Sequence, residues 1–437
     1  MQLSTSPPAD GTVENQSRPG VIVLCMFITV IEGFNLIVFG SVVPLLLQDS
    51  ALGSTDQWTG LVGGLVYVGA ILGSIVAPWV ADRLGRKRVL LIAIGLFAVG
   101  AILTGSAISV PMLALARFVT GFGIGGSLTT AMTAARNSSA AKHASLVVTI
   151  TMAGIPLGGV VAALLAIPIL PAFGWRPMFF IGAATAVTIM VAVSLMQIPT
   201  DTPQEVAGRL WSTRQKLRVM FSGPGIVPTG VIATSAIANM VAWQGLNVWA
   251  TQSMVDLGYS LKVALLITFT LTGAAVAGSF VTAWAADRRG SALIAIVTSA
   301  STVAGLAGIV ILPLSLATTI VCVALMGIGG HSTMNLIHTT TADIFPLPVR
   351  ATALGWSNST SFIGAFLGPV VGGSAIAAGG AHSVFLTFAS SAAVCMAAVT
   401  ALFFADRAAH VRGAAADAAY PGAQSKMSAA SNTNVAA

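Results

Sequence analysis

Three ionisable side chains stand deep within apolar runs of this chain, and an ionisable group in such a run is a functional candidate by default. Glu32 lies in Ile31-Glu32-Gly33-Phe34-Asn35, twelve residues after the first apolar run opens at Gly20. A carboxyl there suits a proton carrier; a structural acid, protonated or paired, is the bland alternative. Arg117 heads Arg117-Phe118-Val119-Thr120-Gly121-Phe122-Gly123-Ile124-Gly125. A guanidinium does not give up its proton, so it binds an anion or modulates a nearby carboxyl. A permanent Arg117–Glu32 pair holding two helices together is the competing reading. Gly121 and Gly125 share the helix face of Arg117, which predicts a close helix contact along it. His331 has Asn335 four residues on and His338 seven on, a polar face on an apolar helix. Histidine titrates near neutrality, which admits a proton relay, and a neutral histidine bonded within the bundle fits equally.

Neutral polar groups make a second constellation. Asn239, Trp243 and Asn247 recur every four residues, with Gln244 beside them. An aromatic ring flanked by amides suits a ring-bearing ligand; ordinary interhelical hydrogen bonding is the alternative.

The elements that must position these groups are membrane spans. Of the 437 residues 56% are hydrophobic and only 8% charged, far from the roughly 25% charged of soluble domains. Mean hydropathy is +0.91. Twelve runs are long enough to cross a bilayer. The first six are Gly20–Leu47, Trp58–Val80, Val89–Ile108, Pro111–Thr133, Ala144–Ile167 and Pro177–Ile198. The second six are Ile226–Met254, Val263–Ala285, Ala292–Leu312, Leu316–Thr341, Ala351–Ala377 and Ser383–Ala405. The polar stretch Pro199–Gly225 splits them six and six and reads as a cytoplasmic linker, partly helical. The expected organisation is therefore a cytoplasmic tail (1–19), a six-helix half (20–198), the linker (199–225), a second half (226–405) and a disordered cytoplasmic tail (406–437).

Orientation follows from Ala81–Arg88, which packs three arginines and a lysine between two spans. Basic loops stay in the cytoplasm. In this topology every lysine and arginine is cytoplasmic except Arg176, Lys262 and the intramembrane Arg117. That asymmetry accounts for the net charge of +7 without a nucleic-acid partner. Both termini fall on the cytoplasmic side of a cell membrane. The loop has an echo 205 residues later, Ala-Asp-Arg-Arg-Gly at Ala286–Gly290, which predicts two homologous halves. Cys25, Cys322 and Cys395 match no disulfide or metal spacing and read as small buried residues. No nucleotide loop, metal-ligand set or nucleophile with a base is visible, so an enzyme is not expected and no cofactor is implied.

Two halves with parallel repeats and a site near the midplane are one way to build a transporter. Asp82-Arg83-Leu84-Gly85-Arg86-Lys87-Arg88 and Asp287-Arg288-Arg289-Gly290 resemble the paired loops of the major facilitator superfamily, as does the Arg117-x-x-x-Gly121 pattern. The resemblance covers the whole chain. It implies an all-α fold of twelve helices in two pseudo-symmetric halves, a monomer, and secondary transport by alternating access. It implies a gating latch at Asp82, Gly85, Arg86, Lys87, Arg88, Asp287 and Arg288, with Gly85 allowing a tight reversal. It also implies proton coupling at Glu32, Arg117 and His331.

Within that superfamily, Glu32-Gly33-Phe34-Asn35 followed by Val43-Pro44 looks like the first-helix signature of the aromatic acid:proton symporters. Pro346, Arg350-Ala351-Thr352, Gly355-Trp356 and Gly364-Ala365 are similar to that family's entry to helix 11, and Gly174-Trp175-Arg176 also fits. Two positions depart from the pattern. Asn35 replaces the second acid of the signature, and Phe362 stands where an arginine is frequent. The implied substrate is an aromatic or related monocarboxylate carried with protons, its site drawn from Arg117, Asn35, Trp243, Gln244, Asn247, Asn335 and Phe362. Gly154-Ile155-Pro156-Leu157-Gly158-Gly159 partly resembles the antiporter motif of drug exporters, which keeps proton-coupled efflux as the alternative.

Overall fold

The computed structural model describes residues 19–139, 147, 151–196, 212–313 and 315–419. Hydrocarbon offers the backbone no hydrogen-bond partners, so each span satisfies its own as a helix. The first half is built from α1 (Pro19–Gln48), α2 (Asp56–Leu84), α3 (Arg86–Gly105), α4 (Val110–Asn137), α5 (Gly154–Phe173) and α6 (Arg176–Leu195). The second half holds α7 (Ile226–Asp256), α8 (Leu261–Arg289), α9 (Ser291–Ile311), α10 (Leu316–Ile344) and the long helix Leu347–Ala419. That helix breaks at Gly379 and Gly380, where φ reaches 62°, giving α11 (347–378) and α12 (381–419). Eleven described helices are long and apolar enough to cross a membrane, and the break makes the last of them two. The twelve spans expected from the sequence are all present.

Local sequence sets the ends. Thr55, Ser109 and Ser315 accept from backbone N–H groups in the first turns of α2, α4 and α10, the usual N-cap bond. Gly85 and Gly290 stop α2 and α8 with φ of 85° and 88°, a conformation glycine reaches without Cβ strain. The reversal expected at Gly85 thus occurs in both halves. Two boundaries differ from expectation. Helix α5 runs through Pro168 and Pro171 to Phe173 rather than ending at Ile167, since neighbouring helices make proline tolerable inside a span. The last helix continues to Ala419, so the first part of the tail expected to be disordered is helical. Its alanine-rich run, 408–419, favours helix without needing burial. The N-terminal tail, the first part of the linker (197–211) and residues 420–437 lie outside the described residues, as does the expected start of the fifth span.

The rest of the linker folds. Ser212 and Gln215 form a capping box on a short helix, Thr213–Phe221. Phe221 meets Trp356 of α11 edge to face at 5.1 Å, Trp356 donates to the Thr229 carbonyl at 3.1 Å, and the Thr229 hydroxyl donates to the Met220 carbonyl at 2.8 Å. The linker helix is therefore docked on α7 and α11 at the basic-loop end.

Glycines set the seams. A Cβ on Gly121 or Gly125 would collide with the Val66 or Ala70 carbonyl of α2, so α2 and α4 lie backbone to backbone along the face expected from the sequence. Between the halves, Gly40 abuts the Asn247 carbonyl of α7, and Gly60 and Gly64 abut the Pro369 and Phe366 carbonyls of α11. These approaches lie toward the end opposite the basic loop. Apolar side chains such as Phe27, Ile75, Phe280 and Val297 remain exposed on the outer faces, where lipid replaces protein. The three cysteines are free and buried.

The basic loop keeps its described contacts within its own half. Lys87 donates to the Ser194 carbonyl at the end of α6 at 2.7 Å. The Arg83 guanidinium stacks on the exposed Trp79 at 3.8 Å, and Arg288 stacks on the exposed Trp284 at the same distance. The sequence repeat is thus a structural repeat down to its cation–π pairs.

At the opposite end, one clamp joins three loops of the first half. Asp49 Oδ2 accepts from Arg176 Nη1 at 2.9 Å and from Trp175 Nε1 at 3.1 Å, while Arg176 Nη2 donates to the Ala107 carbonyl at 3.2 Å. Partial burial pushes the Asp49 carboxyl up, but the Trp175 and Arg176 hydrogen bonds and the Arg176 charge outweigh it and hold the group below its ordinary range. Its contribution to stability is therefore fully present above the unfolded carboxylate pKa and is lost as pH falls through the lower folded value. Asp49→Asn is expected to destabilise the protein by about 1 kcal/mol, the half-exposed Arg176 being partly screened. It should also remove that component of acid sensitivity, both readable as Tm in detergent across a pH series.

Candidate functional site

Arg117 is 1% exposed, seven residues into α4 from the end opposite the basic loop. Its Nη1 donates to the Asn35 carbonyl at 3.2 Å, and its guanidinium lies 4.7 Å from the centre of the Phe39 ring. Tyr67 of α2 is buried within electrostatic reach. Arg117 Nε has no acceptor, and no carboxylate among the described residues pairs with the group. Burying a guanidinium without an anion is costly, so the site has an affinity for negative charge that no described side chain fulfils.

Glu32 is 2% exposed on α1 and does not pair with Arg117. Its Oε1 contacts the Ser127 hydroxyl of α4, and its Oε2 has no partner. Ser127 stands ten residues beyond Arg117, about 15 Å along the helix, so Glu32 and Arg117 meet α4 at different depths. The carboxyl borders a small, mainly apolar crevice lined by Ile28, Ile31, Ile94, Phe97, Ala186 and Ile189. Its surroundings are the interior of the first half, between α1, α3, α4 and α6. The permanent Arg117–Glu32 pair is absent from this structure.

The remaining candidates separate. Asn35 is fully buried; its amide donates to the Ile31 carbonyl at 3.2 Å and packs against Gly182 of α6. Its backbone carbonyl, not its side chain, meets Arg117, because the amide points toward α6. Asn239 donates to the Gly330 carbonyl of α10 at 3.0 Å, an interhelical tie of the ordinary kind. Asn247 donates to the Trp243 carbonyl at 2.8 Å and keeps a buried Oδ1 without a partner. Trp243 is 5% exposed, lies over Gly330 and meets the His331 ring at 5.9 Å. Gln244 is half-buried and makes no hydrogen bond to the described residues, and Asn335 is exposed on α10. An exposed polar side chain in a span, such as Asn335, is suited to water rather than hydrocarbon. Phe362 packs half-buried against the cluster that holds Val66, Tyr67 and Ala365. His338 is half-buried on the His331 face.

Three contributors were not singled out by sequence. Ser127 gives no signal, since a hydroxyl in a span usually bonds its own helix. Phe39 and Tyr67 are an aromatic in an apolar run and one of three tyrosines; only the fold brings them to Arg117. The glycines of the α5 stretch are taken up by packing: Gly154 meets Thr29, and Gly158 meets the Val30 carbonyl of α1.

A family model described as Major Facilitator Superfamily matches residues 25–323 and 314–433, and the chain belongs to that superfamily. It is 29% identical over 407 residues to a gentisate transporter of Corynebacterium glutamicum, covering 88% of this chain and 87% of the relative. It is 23% identical over 388 residues to a benzoate transport protein of Acinetobacter baylyi, covering 81% and 82%. Among solved structures, a D-xylose–proton symporter superposes with a TM-score of 0.72 at 15% identity, over 88% of this chain and 96% of that one. The recognised resemblance to aromatic acid transporters of this superfamily is therefore upheld, and the protein is a multi-pass membrane protein.

The geometry separates an amide tied between helices, Asn239, from one without a described partner, Gln244. Asn239→Ala is expected to cost about 1 kcal/mol of stability by removing the interhelical bond to the Gly330 carbonyl, which keeps its own helical donor, with the KM of any transported substrate unchanged. Gln244→Ala should leave stability within about 0.5 kcal/mol and raise KM. Detergent melting curves with uptake kinetics check both.

Proposed function

We propose that this protein is a secondary active transporter that carries an aromatic or related organic monocarboxylate together with protons, inward, by alternating access. The observation that carries the reading is the buried Arg117 with no carboxylate partner. A substrate carboxylate supplies the missing charge and can meet the guanidinium through two parallel N–H donors. Phe39, Tyr67 and Phe362 border the same place and suit a ring; Gln244 and Asn335 offer polar contacts on the route. The names of the gentisate and benzoate relatives support a small aromatic acid. Glu32, with one oxygen unpartnered beside Ser127, carries the proton. His331 is the second candidate for proton transfer.

The basic loop is assigned to the cytoplasmic face of the cell membrane, which puts both termini in the cytoplasm. Asp82 to Arg88 and Asp287–Arg288 act as the latch at that face. The seams at Gly40, Gly60 and Gly64 then close the outer side, leaving the substrate route open inward. The unit of transport is a monomer.

Uptake of labelled benzoate, gentisate and hydroxybenzoates into proteoliposomes, with and without an inward proton gradient, tests the reading. Gradient-driven accumulation abolished by an uncoupler is expected. Arg117→Ala should weaken substrate binding by roughly 2–5 kcal/mol. Glu32→Gln, fixed in the neutral form, should exchange substrate yet fail to accumulate it. Uptake unchanged in both variants would sink the proposal.

A further inference from the structure

Ser127 has one hydroxyl proton and three acceptors in reach. The Glu32 carboxyl oxygen Oε1 is at hydrogen-bond distance, the Gly123 carbonyl is 2.9 Å away and the Ile124 carbonyl 3.1 Å. A serine hydroxyl donates once and accepts through two lone pairs. Two arrangements fit the same heavy-atom positions. With Glu32 ionised, the Ser127 O–H points at the carboxylate and the α4 carbonyls keep only their main-chain donors. With Glu32 protonated, the carboxyl donates to Ser127 Oγ and the hydroxyl turns to the Gly123 or Ile124 carbonyl. The proton on Glu32 thus decides whether α4 carries an extra hydroxyl-to-carbonyl bond. Bonds of that kind bend helices.

The surroundings leave Ser127 as the polar link. Helix α3 presents Ile94 and Phe97 to Glu32, and α6 presents Ala186 and Ile189. Helix α5 packs on α1 through Gly154, Ile155 and Gly158, none titratable. Among the described residues the titratable neighbour is Cys25 on α1 itself. Of the two charged groups of α4, Arg117 reaches Asn35 instead and Arg136 stands in the last turn. On the α4 side of Ser127, Gly123 abuts the α3 backbone and Gly125 the α2 backbone, so a small bend of α4 there is felt directly by both neighbours.

We propose that Ser127 is a positioning residue that passes the protonation state of Glu32 to α4, its hydroxyl switching between the Glu32 carboxyl and the Gly123 and Ile124 carbonyls, and so to the helix that carries Arg117. The assignment rests on Glu32 being the proton carrier. It makes the two ends of α4 one device: the proton is read at Ser127 and the substrate anion is held at Arg117.

The test compares the wild type with Ser127→Ala and Ser127→Thr in proteoliposomes, using labelled benzoate and gentisate. Counterflow at equal pH is measured beside accumulation under an imposed proton gradient over a pH series. Ser127→Ala is expected to retain counterflow but to lose roughly tenfold in gradient-driven accumulation, with a flattened pH profile. Ser127→Thr, which keeps a hydroxyl, should restore both. Infrared difference spectra of the purified protein give a readout that needs no substrate: the protonated-carboxyl band absent from Glu32→Gln should shift in Ser127→Ala. A coupled wild type whose Ser127→Ala variant keeps its pH profile and its band overturns the Ser127 assignment alone. A wild type that exchanges substrate but never accumulates it removes the proton-coupling reading, and this assignment with it.

Discussion

A guanidinium buried in a bundle of apolar helices demands that its donors be met, and the first half of this protein is arranged around meeting them in part. Arg117 reaches the Asn35 carbonyl and lies over Phe39, both on α1. Those contacts exist only because α4 lies against its neighbours at backbone distance, which Gly121 and Gly125 permit against α2. A main-chain carbonyl and a ring face carry partial charge, not a full one. The position is stable enough to fold and leaves Nε unsatisfied.

The same helix explains why charge and proton need not sit together. A direct Glu32–Arg117 pair would neutralise both groups and leave little attraction for a substrate. The structure keeps them a few turns apart along α4, Glu32 on Ser127 and Arg117 on α1. Each group can then change state without first breaking a bond to the other. Two helices link them: α4, through Ser127 and Arg117, and α1, which carries Glu32 and meets Arg117 at the Asn35 carbonyl.

Much of this was legible in the sequence. The twelve spans, the duplicated loop and its glycines follow from apolar run length and from a repeat at constant offset. Glu32 and Arg117 stood out because charge is scarce in such runs. The glycine face of α4 followed from helical spacing. Directions of side chains did not follow. Asn35 lies three residues from Glu32, and whether its amide turned to the substrate route or to α6 depended on Gly182, distant in sequence. Asn239 and Gln244 are both amides on α7, yet one is tied to α10 and the other open. The Asp49 clamp joins residues 127 apart. The helical extension to Ala419 was hidden because apolar run length, which marks spans, ignores alanine-rich helix outside the bilayer.

The twin Trp–Arg pairs at the basic end carry a mechanical consequence. Each half holds an exposed indole with a guanidinium stacked on it, at equivalent positions of α2 and α8. Indoles and arginines of this kind settle at the boundary between hydrocarbon and headgroups. Two such floats, one per half, fix the height of both halves against the same plane of lipid while leaving each free to tilt. A bundle anchored in this way has its depth in the bilayer set twice, once from each half.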